Sequence, residues 1–117
     1  MRQEKEAELK KLLFDIFASY DSERKIRINN LGYICLTDLA KFFNSKRLDN
    51  WLRLKTANKF IGEVKNNFPS PVLIAKKGRC AGGTYANIII AMEFASWLSS
   101  EIKMKIYEYI KRKARKG

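Results

Sequence analysis

The residues that would serve hydrolytic chemistry in this chain are few. Glu63 and Lys65, with Val64 between them, have the acidic-x-Lys spacing of some metal-dependent nucleases, and Asp49 lies upstream. Two-metal chemistry requires several carboxylates that converge on Mg²⁺, normally at the end of a strand. The apolar pattern here instead predicts a helix in which Val64 faces inward and its charged neighbours face solvent. We therefore predict no catalytic residues and no enzyme activity.

Other reactive residue types are absent or badly spaced. The chain has no histidine, which excludes His-based metal sites and Ser-His or Cys-His nucleophile pairs. Gly82 and Gly83 lack the Lys-Ser/Thr that follows in a phosphate loop. Cys35 and Cys80 have no metal-ligand spacing, and we interpret them as reduced thiols, with a disulfide as the alternative. We expect no metal, no cofactor and no small-molecule substrate.

The charge of the chain indicates a polyanionic partner. The 117 residues carry 24 Lys and Arg against 12 Asp and Glu, a net charge of +12. Residues 1–23 hold four basic and six acidic residues, a net charge of −2, so the remaining 94 residues carry +14. The excess positive charges repel one another in the compact state, and binding to a nucleic acid would relieve that repulsion.

Two groups of basic residues form the candidate DNA-binding site. One is the tip of a predicted β-hairpin, because a two-stranded ribbon fits a DNA groove. The other is a predicted pair of short helices between residues 37 and 66, whose layout resembles a helix-turn-helix with cations on its outer face. In both places the alternative is an ordinary solvated surface. The candidate residues are Lys46, Arg47, Arg53, Lys55, Lys59, Lys76, Lys77 and Arg79.

The first segment, residues 1–23, is predicted to be an amphipathic helix. One apolar stripe recurs at three- and four-residue spacing and consists of Leu9, Leu12, Leu13, Ile16, Phe17 and Tyr20. The stripe either packs on the core or forms a homodimer or partner interface through residues 1–20. Its net negative charge disfavours binding to anionic lipid.

The middle of the chain is predicted to combine short strands and short helices. Residues 24–28 and 33–36 indicate a β-hairpin around an Asn/Gly-rich turn. Three hydroxyl side chains, at Thr37, Ser45 and Thr56, are each expected to cap a short helix.

The second half is predicted to hold a second hairpin and two helices. Residues 72–75 and 81–85 are expected to pair around a basic turn at 76–79. Asn87 is expected to cap a nearly all-apolar, buried helix over residues 88–98. A final helix begins at Ser99 or Ser100, with an inner side formed by Ile102, Ile106, Tyr109 and Ile110. The tail, residues 111–117, is expected to fray because it is too charged to pack.

No segment suggests export or insertion into a membrane. The N-terminus has no apolar signal core. The longest apolar stretch, residues 88–98, is interrupted by Glu93 and is too short to span a bilayer. We expect an intracellular, cytoplasmic location in association with a nucleoid or viral DNA.

Four sequence blocks resemble the KilA-N domain family. Residues 32–40, Gly-Tyr-Ile-Cys-Leu-Thr-Asp-Leu-Ala, are similar to its opening motif, and Asn-Trp-Leu-Arg at 50–53 is similar to its Trp-Leu-Arg motif. Residues 83–87 and 91–99 resemble its late Gly-Thr-aromatic step and the helix that ends Ala-x-Trp-Leu-Ser. The resemblance covers roughly residues 30 to 110. It implies a DNA-binding domain of phages, bacteria and large DNA viruses, related to the fungal APSES domains with their winged-helix-like α/β fold.

The sequence therefore predicts an α+β, winged-helix-like domain that binds duplex DNA and regulates a phage, viral or bacterial mobile element. Its parts would be the helix of residues 1–23, the DNA-binding domain of residues 24–110 and the basic tail of residues 111–117. The alternative is a protein-interaction or assembly module that uses the first helix. RNA binding is a further variant, disfavoured because no exposed aromatic pair on a strand suggests base stacking.

Overall fold

A computed structural model describes residues 2–78 and 82–116 of the chain. Within these residues the backbone forms six helices and a three-stranded antiparallel sheet, which confirms the predicted α+β class. The helices are α1 (Arg2–Ala18), α2 (Leu36–Ala40), α3 (Arg47–Leu52), α4 (Lys55–Asn67), α5 (Ile88–Leu98) and α6 (Ser100–Lys116). The strands are β1 (Ile34–Cys35), β2 (Leu73–Lys76) and β3 (Gly83–Ala86).

The sheet has the strand order β1-β3-β2, so the last strand in sequence lies in the middle. Strands β2 and β3 form the predicted second hairpin, with Lys76 opposite Gly83. Strand β1 pairs with the other edge of β3 and places Cys35 opposite Tyr85. The two four-residue antiparallel strands therefore project beyond β1 as a ribbon, and Lys76 lies at its open end.

The first predicted hairpin is reduced to a tight turn. Ile28 and Ile34 form one isolated antiparallel bridge, so residues 24–28 are not a full strand. The Asn29 side-chain oxygen accepts hydrogen bonds from the backbone N–H groups of Leu31 and Tyr33, at 2.9 and 3.0 Å. Gly32 completes the turn with a φ of +79°, a conformation that glycine adopts without strain. The turn was predicted correctly, whereas the pairing of β1 is mainly with β3.

Helix α5 forms the centre of the core. The elements α1, α2, α4, α6 and β3 all pack against it, which is why its sequence is apolar on nearly every side. The Asn87 side chain accepts a hydrogen bond from the N–H of Ile90 at 3.1 Å and caps its start. The Ser99 hydroxyl accepts from the N–H groups of Glu101 and Ile102 at the start of α6. The predicted Asn87 cap is confirmed, and so is the predicted start of the final helix at Ser99 or Ser100.

The three caps predicted in the middle of the chain are wrong. Thr37 is the second residue of α2, and its hydroxyl accepts a hydrogen bond from the N–H of Thr84 in β3 at 3.1 Å. Ser45 precedes Lys46, whose N–H is bonded instead by the Asn44 side chain. Thr56 lies inside α4, which begins one residue earlier. At Thr37 a tertiary hydrogen bond takes the place of the predicted cap, and at Ser45 the neighbouring Asn44 side chain does.

Helix α1 packs on α5 and α6 of its own chain. Leu13, Ile16 and Phe17 are buried, and the Phe17 ring meets Phe42 edge-on at 5.0 Å. Tyr20, predicted as part of the stripe, is 38% exposed and donates its hydroxyl proton to Glu101. Core packing accounts for the buried stripe, and a homodimer through residues 1–20 stays a prediction.

Helix α6 continues through the basic tail, so the expected fraying is not observed up to Lys116. Ile102 and Ile106 are buried against the core, as predicted, but Ile110 is 51% exposed. Glu8 of α1 contacts this extended part of the helix. Its carboxylate accepts from the Tyr109 hydroxyl and forms an ion pair with Lys113.

Candidate nucleic-acid interface

The α3–α4 pair is positioned by an aromatic anchor and a closed turn. Trp51 is 2% exposed, and its ring lies 5.0 Å from that of Phe94 in α5. The Asn58 side-chain amide donates to the carbonyl oxygens of Leu52 and Leu54, both at 2.9 Å, and so fixes the turn between the two helices. The geometry of the pair therefore depends on the core and on one polar side chain.

Five of the candidate residues lie on this continuous segment. Lys46, Arg53, Lys55 and Lys59 are exposed. Arg47 is half-buried, with its guanidinium 5.1 Å from the centroid of the Trp97 ring. Because α4 buries its opposite face, Lys55 and Lys59, four residues apart, lie together on the solvent face. The structure thus places these five candidate residues on one segment, from Lys46 to Lys59.

The remaining candidates belong to the β2–β3 hairpin. Lys76 ends β2 and Lys77 follows it, and both are exposed. Arg79 lies outside the described residues. Strand β3 leads into the first turn of α5, whereas Arg47 contacts Trp97 in its last turn, about 15 Å further along the helix. The two candidate groups are therefore carried by different elements that α5 connects.

A buried ion pair that sequence reasoning missed holds the base of this arrangement. The Arg27 guanidinium donates to both carboxylate oxygens of Asp38, at 2.9 and 3.0 Å, and its backbone N–H donates at 2.8 Å. Asp38 is 6% exposed. Burial acts to raise the pKa of this carboxyl, but the hydrogen bonds and charge of Arg27 outweigh burial and hold the pKa below its usual value. The pair fastens the turn before β1 to α2.

Gly83 lies directly above this pair, at the start of β3. Its φ is +150°, which side chains other than hydrogen rarely tolerate. A Cβ atom at this position would lie 2.9 Å from the Cys35 Sγ and 3.4 Å from atoms of Arg27 and Thr37. Only glycine lets the hairpin approach α2 closely enough for the Thr37–Thr84 hydrogen bond.

Gly83→Ala is expected to lower the free energy of unfolding by about 2–3 kcal/mol, from backbone strain and the close contact with sulfur. Gly62→Ala is the matched control, because a Cβ there would meet nothing within 4 Å and alanine favours the interior of α4. That variant should be more stable than wild type by about 0.5–1 kcal/mol. Urea unfolding followed by circular dichroism measures both, and equal stability of the two variants would contradict the assignment.

A further set of basic residues was missed because the tail was predicted to fray. Within the described part of α6, the exposed or half-buried cations lie on a helix that α1 holds in place. They are Lys103, Lys105, Lys111, Arg112, Lys113 and Arg115. The signal was already present in the sequence as isoleucines at 102, 106 and 110, which continue a helical period into the charged segment.

The described residues contain no group of three or more potential metal ligands placed to hold an ion. None of their helices is both long enough and apolar enough to cross a bilayer.

The KilA-N domain model matches residues 18–116. The chain belongs to the KilA-N domain family. The match includes the α3–α4 pair, the hairpin and α6, and it begins at the last residue of α1. Two motifs of the KilA-N resemblance, Thr-Asp at 37–38 and Gly-Thr at 83–84, meet in space through the Thr37–Thr84 hydrogen bond.

A curated relative is known from a phage. The protein kilA of Escherichia phage P1 is 32% identical over 56 residues, which are 48% of this chain and 21% of the phage protein. The chain thus matches about a fifth of that protein's length. No solved structure matches the KilA-N chain.

Proposed function

We propose that this KilA-N domain binds duplex DNA, without catalysing a reaction on it, as part of a phage, viral or mobile-element regulator. The observation that carries the proposal is the one-sided α3–α4 pair. Its inner face is anchored by Trp51 and its outer face presents Lys55 and Lys59 to solvent. Such a helix, fixed from behind and cationic in front, suits contact with phosphates beside a groove.

The local charge balance supports a DNA-binding surface rather than a surface that only contacts solvent. Between residues 39 and 92 the sequence holds ten basic residues and two acidic ones, Asp49 and Glu63. A solvated surface that only maintains solubility usually mixes both signs of charge. The hairpin adds Lys76 and Lys77 on a projecting ribbon, which would lie as a wing against the duplex.

The proposal is tested by the salt dependence of binding to a labelled duplex, measured by fluorescence anisotropy. With roughly six phosphates engaged, log K should fall against log salt with a slope of about −5. The Lys55→Gln/Lys59→Gln variant should bind about tenfold more weakly at about 0.1 M salt, with a slope shallower by about two.

The control is Lys11→Gln/Lys25→Gln, which removes the same charge from exposed positions outside the candidate site. It should bind within about twofold of wild type. Competition with duplex RNA and single-stranded DNA should leave duplex DNA as the preferred ligand. A wild-type slope near zero, or equal losses in the two variants, would show that the helical pair is not the binding surface.

A further inference from the structure

Helix α6 presents, from Lys105 onward, a cationic surface that belongs to neither candidate group. We call Lys105, Lys111, Arg112 and Arg115 the α6 ridge. These four residues line one side of an open groove of about 540 Å³ between α1 and α6, together with Glu108. One carboxylate among four cations leaves the groove with a net charge of +3.

Most of these charges are not neutralised within the chain. In residues 2–78 and 82–116, Lys111, Arg112 and Arg115 form no ion pair, whereas the neighbouring Lys113 is paired with Glu8. Over its 17 residues α6 carries seven basic and two acidic residues. Arg115 is one turn from Lys111 and Arg112, and like charges at this spacing cost a few tenths of a kcal/mol per pair, a small repulsion that a bound anion would remove.

The ridge is held in one orientation by α1. Ile102 and Ile106 are buried in the core, and the Glu8 carboxylate of α1 binds both Tyr109 and Lys113. Because the helix backbone is held at both of these levels, only the side chains of the ridge need to be ordered when they bind a ligand. From Lys105 to Arg115 the helix rises by about 15 Å, a length over which one DNA strand presents about four phosphates.

We propose that the α6 ridge is an additional phosphate-binding surface for duplex DNA, on a different element from the helical pair and the hairpin. The proposal rests on the DNA binding proposed above. An acidic protein helix fits the groove less well, because such a partner also needs exposed apolar surface. The floor offers little, since Ile16 is 6% exposed and Leu12 is half-buried. Arginine at two of the four positions further suits phosphate, which it binds through two parallel hydrogen bonds.

The test compares Arg112→Gln/Arg115→Gln with the control Lys11→Gln/Lys25→Gln, in the full chain and with the same labelled duplex. Both substituted arginines are exposed near the end of a helix, so melting followed by circular dichroism should be unchanged. The ridge variant should lose about tenfold in affinity at about 0.1 M salt, and its salt slope should be shallower by about two. The control should retain the wild-type slope.

The outcomes separate this inference from the proposed function. If the Lys55→Gln/Lys59→Gln variant loses affinity while the ridge variant behaves like the control, the ridge is not a DNA contact and the helical pair still is. If wild type shows no salt-dependent binding to the duplex, the proposed function itself fails. A labelled poly-glutamate peptide is the competing probe. If wild type binds this peptide more tightly than it binds the duplex, and the ridge variant does not bind the peptide, the inference is overturned in favour of an acidic protein partner.

Discussion

Trp51→Ala is expected to lower the free energy of unfolding by about 3–5 kcal/mol, because it removes a large, almost fully buried side chain. The ring of Trp51 contacts Phe94, so its loss leaves a cavity between α3 and the central helix. For a domain of ordinary stability this is a large fraction of the total. Urea unfolding followed by circular dichroism at 222 nm is the appropriate measurement, since Trp97 would complicate fluorescence.

Trp51→Phe serves as the control for this prediction. It keeps an aromatic ring against Phe94 and should cost about 1–3 kcal/mol, less than the alanine variant. If Trp51→Ala costs less than about 1 kcal/mol, α3 is not held by this anchor. In that case the fixed presentation of the cationic face, on which the proposed function depends, would need another cause.

Arg27→Ala is expected to destabilise the domain by about 2–4 kcal/mol at neutral pH. Removing the guanidinium leaves the buried Asp38 carboxylate with the backbone N–H of residue 27 as its remaining donor and with no cation, and breaking a fully buried pair costs about 3–5 kcal/mol. The value is reduced here because the Arg27 side chain is 34% exposed and water reaches the site. The measurement is urea unfolding at about pH 7.

The destabilisation caused by Arg27→Ala should become smaller as the pH falls. This direction follows from the pKa of Asp38. In wild type, Arg27 outweighs burial and holds this pKa below its ordinary value, so the carboxylate stabilises the fold above about pH 4 and that contribution disappears at lower pH. Without Arg27, burial raises the pKa of Asp38, so the folded variant takes up a proton and gains stability as the pH falls.

The difference between wild type and Arg27→Ala should therefore be smaller at about pH 4.5 than at about pH 7. The double variant Arg27→Ala/Asp38→Asn is the control, because it has no carboxyl to titrate at this site. The stability that the double variant loses relative to wild type should not become smaller between about pH 7 and about pH 4.5. A loss for Arg27→Ala that is the same at both pH values would mean that Asp38 is not the titrating group.

The elements predicted correctly are those whose signals are local. Asn87 precedes a run of apolar residues and has no competing partner, so its capping role could be inferred from sequence. The pattern at 72–75 and 81–85, around a basic turn at 76–79, likewise predicted the hairpin, although the observed strands are Leu73–Lys76 and Gly83–Ala86. The exposure of Lys55 and Lys59 followed from the apolar period of α4.

The features that were missed depend on residues distant in sequence. Thr37 looks like a helix cap until Thr84, 47 residues later, is placed beside it. Arg27 lies in the alternating segment 24–28, a pattern that predicts a strand but gives no partner for this side chain. Its pairing with Asp38 depends on the turn at 29–32, which leads the chain back to α2. The contact of the charged end of α6 with α1 involves Glu8, about 100 residues earlier, which pairs with Lys113.

The strand order β1-β3-β2 has a consequence for the order of folding. Strands β2 and β3 are separated by six residues, so their hairpin closes on a microsecond timescale, but two strands alone are marginal in water. Strand β1 joins them only after a loop of about fifty residues has closed, and the entropy of that closure must be repaid by the packing of the helices between them. The ribbon that carries Lys76 and Lys77 is thus expected to form early as a local unit and to acquire its fixed direction late, when β1 docks.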